Sequence, residues 1–159
     1  MAISRTRTRQ PAKAQASRAA DEVRDVDYRA LAQFRYELRK FVAFSESAAR
    51  KERLTPQQHQ ALLSIKGFSQ DKPVSVGELA KLLLIRHHTA VELVDRMTRL
   101  GLIVRLADPD DRRRSLVRLT AEGERRLRKL SKIHFEELSA VGNALTEMLR
   151  HFRRSGSLC

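Results

Sequence analysis

The chain has 159 residues and a formal net charge of +13 at pH 7. This length suits one compact domain with room for a core, and the charge favours a polyanionic partner over an acidic one. No stretch approaches the roughly 20 apolar residues that span a bilayer, and a single cysteine, Cys159, excludes an internal disulfide framework or a Cys-rich metal site.

Residues 1–25 are polar and basic, with Arg5, Arg7, Arg9, Lys13 and Arg18 ahead of the first acid, Asp21. The composition reads as a disordered basic arm. It is also Arg- and Ser-rich like an organelle transit peptide, but it lacks the apolar segment of a secretory signal. With one cysteine, a reducing, cytoplasmic compartment is the expectation.

A helix is predicted from about Asp27 to Lys51, where Leu31, Phe34, Leu38, Phe41, Ser45 and Ala48 recur at spacings of three and four. The aromatics Tyr28, Phe34, Tyr36, Phe41 and Phe44 are expected in core or interface. A second helix opens at Leu54-Thr55-Pro56-Gln57-Gln58, with Thr55 as N-cap, Pro56 at the first helical position and Gln58 completing a capping box. Ala61, Leu62 and Ile65 supply its buried face, His59 sits at the edge of that face, and Gly67 ends it.

A third helix begins with a second capping box, Ser75 to Glu78, and buries Leu79, Ala80, Leu82 and Leu83. After a turn near Ile85-Arg86, a fourth helix runs from about His87 to Leu100 and stops at Gly101. Thr89 with Glu92 would place its start as a capping box; a start one turn earlier is the alternative. Ala90, Leu93, Val94, Met97 and Leu100 share an apolar face, and His88, Glu92, Arg96 and Arg99 share a polar one.

Two strands follow, Leu102–Leu106 and Ser115–Leu119, joined by the charged segment Ala107–Arg114. Thr120 caps a last helical region, which Gly142-Asn143 kinks or splits. Its stripe, Leu127, Leu130, His134, Leu138, Val141, Leu145, Met148 and Phe152, keeps a heptad-like spacing, and His134 is expected to pack or hydrogen-bond at an interface.

Short helices followed by a hairpin with a charged tip make a winged helix-turn-helix, whose second helix enters the major groove of duplex DNA. Reading base edges needs hydrogen-bonding side chains on the outward face, and Arg86, His87, His88, Thr89, Glu92 and Arg96 are the candidates. Arg112, Arg113 and Arg114 on the wing are the candidates for phosphate or minor-groove contact. Ser75, at the start of the third helix, is a further candidate, and Asp111 is the acid expected to orient the wing arginines.

The motifs LTPQQHQALL from Leu54, VSVGELAKLL from Val74, AVELVDRMTRLGLI from Ala90 and DPDDRRRSLVRLTAEG from Asp108 resemble the MarR family of bacterial transcription regulators. The resemblance implies an obligate homodimer whose first and last helices interlock. It also implies a small aromatic or phenolic anionic effector bound between the dimer part and the DNA-binding part. By position it makes Arg113 the wing-tip arginine. The pair His87-His88 departs from the small polar residues common in the family at the start of the reading helix, and no cysteine stands near the start of the first helix to sense peroxide.

The expected fold is mainly α (α+β): a winged helix-turn-helix with a two-stranded wing hairpin and N- and C-terminal dimerisation helices. The expected organisation is a basic arm at 1–25 and one domain at 26–159, with dimerisation helices at 26–52 and 121–153 around a DNA-binding lobe at 53–120. No cofactor and no metal are called for: His87, His88 and Glu92 lack further ligands. There is no Gly-rich phosphate loop, nucleophile elbow or His-Glu-x-x-His sequence to suggest an enzyme. A ligand-responsive repressor on a palindromic operator is the leading expectation. An architectural DNA-coating protein and a protein-interaction module remain as alternatives.

Overall fold

A computed structural model describes residues 25–69, 72–111 and 113–154. The basic arm up to residue 24, Arg112 and Cys159 lie outside the described residues. The elements in chain order are α1 (Asp25–Lys51), α2 (Pro56–Phe68), β1 (Val74–Ser75), α3 (Val76–Leu82), α4 (His87–Arg99), β2 (Ile103–Ala107), β3 (Ser115–Leu119) and α5 (Ala121–Arg154). Two compact units are distinguished, one over residues 39–140 and the other formed by the chain before and after it.

In the 39–140 unit, local chemistry sets the helix starts. The Thr55 hydroxyl accepts the Gln58 N–H at 3.2 Å, and the Gln58 side chain accepts the Thr55 N–H at 2.8 Å. Ser75 and Glu78 repeat the exchange at 3.2 and 2.8 Å. Each pair satisfies two backbone donors that a bare helix start leaves over.

Three helix ends share one geometry. After α4, Gly101 takes a φ of +66°, and the Gly101 and Leu102 N–H groups donate back to Thr98 and Met97. The same pair of return bonds closes α1 around Arg53 (φ 57°) and α3 around Leu84 (φ 54°). This left-handed closure suits glycine, because a Cβ crowds the next carbonyl. α2 runs one residue past the expected stop at Gly67, to Phe68, because the Ser69 hydroxyl donates to the Ile65 carbonyl at 2.6 Å and finishes the last turn.

The sheet has three strands, not two, in the antiparallel order β1-β3-β2. β1 is two residues long, pairing Val74 with Val117 and Ser75 with Leu116. The wing hairpin runs from Ile103↔Leu119 to Ala107↔Ser115, so its first strand starts one residue later than the sequence pattern suggests.

The core of this unit gathers Leu62 and Ile65 from α2, Leu79 from α3, Leu93, Val94 and Met97 from α4, Leu102, Ile103 and Val117 from the sheet region, and Leu130 from α5. Gly123 lets α5 start against this core: a Cβ there would overlap the Leu102 carbonyl oxygen. Thr120 caps α5 by accepting the Gly123 N–H at 3.1 Å and ties it to the end of α4 by donating to the Gly101 carbonyl at 2.6 Å.

His59 is 4% exposed, more deeply placed than an edge residue. Its ring centroid lies 4.8 Å from that of His134, which Phe41 and Phe44 meet edge-on. His134 Nε2 and the Ser45 hydroxyl are 2.8 Å apart, and His134 Nδ1 lies 2.7 Å from the Leu130 carbonyl. Burial, and then the neighbouring His134, push the His59 pKa down from 6.5 to about 4.

In the other unit, Val26, Tyr28, Leu31, Tyr36 and Leu38 of α1 and Leu149 of α5 are exposed apolar or aromatic side chains. Tyr28 and Tyr36 are therefore not core residues of the single chain. α5 is one continuous helix through Gly142-Asn143, with no split. A glycine inside a helix costs only about 1 kcal/mol, and the Thr146 hydroxyl returns to the Gly142 carbonyl at 2.8 Å. Among the described residues, no helix is long and apolar enough to cross a membrane.

Candidate nucleic-acid interface

α4 separates its two faces cleanly. Ala90, Leu93, Val94 and Met97 are buried, while His87, His88, Glu92, Asp95, Arg96 and Arg99 are exposed and Thr89 is half-buried. Leu100, expected on the apolar face, is exposed instead, because it is the residue at which the chain leaves the helix. The helix starts at His87, a turn before the start that a Thr89–Glu92 box would set. Arg86 is its N-cap and makes no capping hydrogen bond with its side chain. Six candidates from the sequence, Arg86, His87, His88, Thr89, Glu92 and Arg96, thus fall on the first three turns of one helix. Glu92 and Arg96 stand 3.8 Å apart on the outward face.

Two residues of this surface were missed by the sequence reading. Arg105 on β2 donates to Asp95 on α4 at 2.6 Å and reaches the Val91 carbonyl at 3.5 Å. The pair joins the wing to the outward face of the helix. Both residues sit in apparently ordinary charged positions, and only the antiparallel fold-back of β2 brings them together.

At the wing tip, Arg113 is exposed and makes no ion pair among the described residues. Asp111 was expected to hold an arginine side chain. Among the described residues it instead shapes the backbone: its carboxylate accepts the Arg113 N–H at 2.9 Å, and its carbonyl accepts the Arg114 N–H at 2.9 Å. Such a turn is what a short acidic side chain supplies when the chain must reverse.

Arg114 differs from Arg113. Its guanidinium lies 3.3 Å from Glu78 and 3.6 Å from Asp108, so it clips the wing root to the start of α3. Asp108 is buried and also accepts the Asp110 N–H at 3.0 Å, while Asp110 pairs with Lys72 at 3.1 Å. The Ser75 backbone N–H, then its hydroxyl, and then Arg114 hold the Glu78 carboxyl below the usual carboxylate range. Ser75 itself is only 5% exposed, and its hydroxyl is engaged with Glu78 at 2.7 Å. It is a capping residue and offers no hydroxyl to a ligand, which corrects its placement among the DNA contacts.

The arrangement presents one polar helix face beside a basic hairpin, a shape that fits a groove and the phosphates flanking it. A family model described as the MarR family matches residues 54–114. The HTH-type transcriptional repressor YetL of Bacillus subtilis (strain 168) is 34% identical over 73 residues, which is 46% of this chain and 44% of that protein. The match therefore spans less than half the length of this relative. Among solved structures, RV1404 from Mycobacterium tuberculosis superposes with a TM-score of 0.66 at 23% identity, covering 85% of this chain and 97% of the other. MepR of Staphylococcus aureus in its DNA-binding conformation gives 0.65 at 21% identity, covering 78% and 90%. At these identities the structures establish the winged-helix fold.

Proposed function

We propose that this chain, whose winged-helix segment belongs to the MarR family, is a transcription regulator that binds double-stranded DNA sequence-specifically as a homodimer. One observation carries the reading. α4 buries one face completely and turns His87, His88, Glu92 and Arg96 outward, next to a wing whose Arg113 is exposed. In this reading α4 enters the major groove and Arg113 reaches phosphate or the minor groove. The similarity to a curated repressor favours repression.

A second copy of the chain is the natural cover for the exposed Tyr28, Leu31, Tyr36 and Leu38, since apolar stripes at heptad-like spacing are stable when paired. The domain scheme proposed from the sequence, with dimerisation helices around residues 53–120, is retained. A two-fold protein calls for a palindromic operator with half-sites about 10 bp apart or a multiple of that. The net charge of +13 and the family resemblance favour a small aromatic or phenolic anion as effector, and the cytoplasm as the place of action.

The test is selection of bound fragments from genomic DNA, followed by footprinting and measurement of affinity for the selected and for random duplexes at physiological salt. A regulator binds its site at least ~10³ tighter than random DNA. A ratio near one would replace the regulator with an architectural DNA-coating protein.

A further inference from the structure

At the root of the wing, within the 39–140 unit, a cleft of about 870 Å³ opens between the end of α2, the start of the sheet, α3 and the hairpin. Small-molecule sites commonly measure about 300–1,000 Å³. Its apolar lining comes from Phe68, Pro73, Val74, Leu82, Pro109 and Leu116. Phe68 is 63% exposed there, an aromatic side chain left in water beside a concave apolar wall.

The charges around the cleft are unevenly committed. Glu78 accepts from Ser75 and Arg114, Asp108 accepts from Asp110 and faces Arg114, and Asp110 pairs with Lys72. Every acid of the lining thus has a partner. Lys81 lies in the field of Glu78 but forms no ion pair or hydrogen bond among the described residues. An apolar cleft with one uncommitted ammonium group is complementary to a compact apolar body that carries one negative charge.

We propose that this cleft is a binding site for a small amphipathic monoanion, with its apolar body against Phe68, Pro109 and Leu116 and its carboxylate or sulfonate on Lys81. An anion held there also lies beside Arg114 and competes with Glu78 and Asp108 for its guanidinium. Binding therefore loosens the clip that fixes the wing to α3. This deepens the regulator reading and rests on it for its consequence: it places effector recognition inside the DNA-binding unit itself.

The probe is 8-anilinonaphthalene-1-sulfonate, titrated by fluorescence into the full chain and into Lys81→Glu, Phe68→Ala and Lys132→Glu. Lys132→Glu makes the same charge change outside the cleft and controls for net charge and for dye bound to other apolar surface. The expected result is saturable binding by the parent chain and by Lys132→Glu alike, and binding about tenfold weaker in Lys81→Glu, the order of one lost charge-assisted contact. Phe68→Ala weakens binding as well. Both altered side chains are exposed, so circular dichroism should show the parent fold. N-Phenyl-1-naphthylamine, which keeps the rings and lacks the sulfonate, should bind more weakly than the sulfonate to the parent and equally to Lys81→Glu.

Equal dye affinity in parent and Lys81→Glu would overturn the proposal. So would a Lys81→Glu variant that loses DNA affinity while binding the dye unchanged, since the cleft would then face the phosphate backbone. DNA binding measured without dye tests the regulator reading on its own, so the two can fail separately.

Discussion

Arg105, on the first wing strand, holds the Asp95 carboxylate of α4 at 2.6 Å, an ion pair that bridges the hairpin and the helix beside it. Both side chains are substantially exposed, so the pair contributes only about 0–1 kcal/mol to stability. Its effect is positional. In Asp95→Asn the melting temperature should fall by less than about 4 °C, while DNA affinity falls severalfold. Removing a negative charge near DNA would by itself raise affinity, so a fall reports lost alignment. Calorimetry with gel-shift titration checks both, and an affinity that stays level or rises removes the pair from the positioning role.

Arg113 and Arg114 are neighbours with different work to do. Arg113→Ala should leave stability within about 0.5 kcal/mol of the parent. It should lower DNA affinity on all sequences alike, with the slope of log K against log salt shrinking by about one unit. Arg114→Ala should cost stability by about 1–2 kcal/mol, because buried Asp108 loses its cation. Urea denaturation of the two variants side by side distinguishes them, and equal stability losses would contradict the assignment.

Leu84 occupies the left-handed closing position of α3 with 93% of its surface exposed. It gains little from burial and bears the crowding that glycine avoids, about 1–2 kcal/mol for an L-residue with a large side chain. Leu84→Asn should therefore stabilise the chain by about 0.5–1 kcal/mol. A urea midpoint below that of the parent would show that the leucine makes contacts that outweigh its backbone strain.

His59 sets a pH dependence with a definite sign. Its folded-state pKa of about 4 lies below the ordinary histidine value of 6.5, so between these values the unfolded chain binds a proton that the native chain refuses. The His59 contribution to native stability is full well above pH 6.5 and declines as pH falls towards 4, by up to about 3 kcal/mol. The depressed Glu122 carboxyl acts lower, between 4.5 and about 2, so the two windows overlap only between pH 4 and 4.5. In His59→Gln the decline between pH 6.5 and 4 should largely vanish, whatever the variant's stability at neutral pH. A slope as steep as the parent's would assign the dependence to other groups.

Much of the fold is legible in the sequence where the deciding bonds are local. The Thr55–Gln58 and Ser75–Glu78 exchanges span three residues, so they can be read from the chain and appear as read. The two faces of α4 follow from a period of 3.6 residues and appear likewise. The missed features depend on distant partners. β1 is too short to show any alternation and exists because Val117 and Leu116, some forty residues later, supply its ladder. Asp95 meets Arg105 only after the chain reverses at Gly101. Ser75 looked available because a hydroxyl at a helix start can serve either a cap or a ligand, and burial in the folded unit leaves it only the cap. Asp111, expected to orient the wing arginines, accepts the Arg113 backbone N–H among the described residues, a turn bond that charge pattern alone does not specify.

α2 and α3 begin with a hydroxyl cap, whereas α4 begins with an arginine whose side chain caps nothing. A capping side chain at such a place is worth about 1 kcal/mol, so heat resistance and hold on DNA pull position 86 in opposite directions. A library screened only for survival at high temperature will enrich Ser, Thr and Asp there. Each gives up a cation on the proposed DNA face, and Asp adds a charge that phosphate repels. A library screened for operator occupancy will return Arg or Lys. The less stable residue is then the one that selection for use retains, and on the proposed reading stabilising this protein by consensus at helix starts would weaken its hold on DNA at a described start whose side-chain cap is missing.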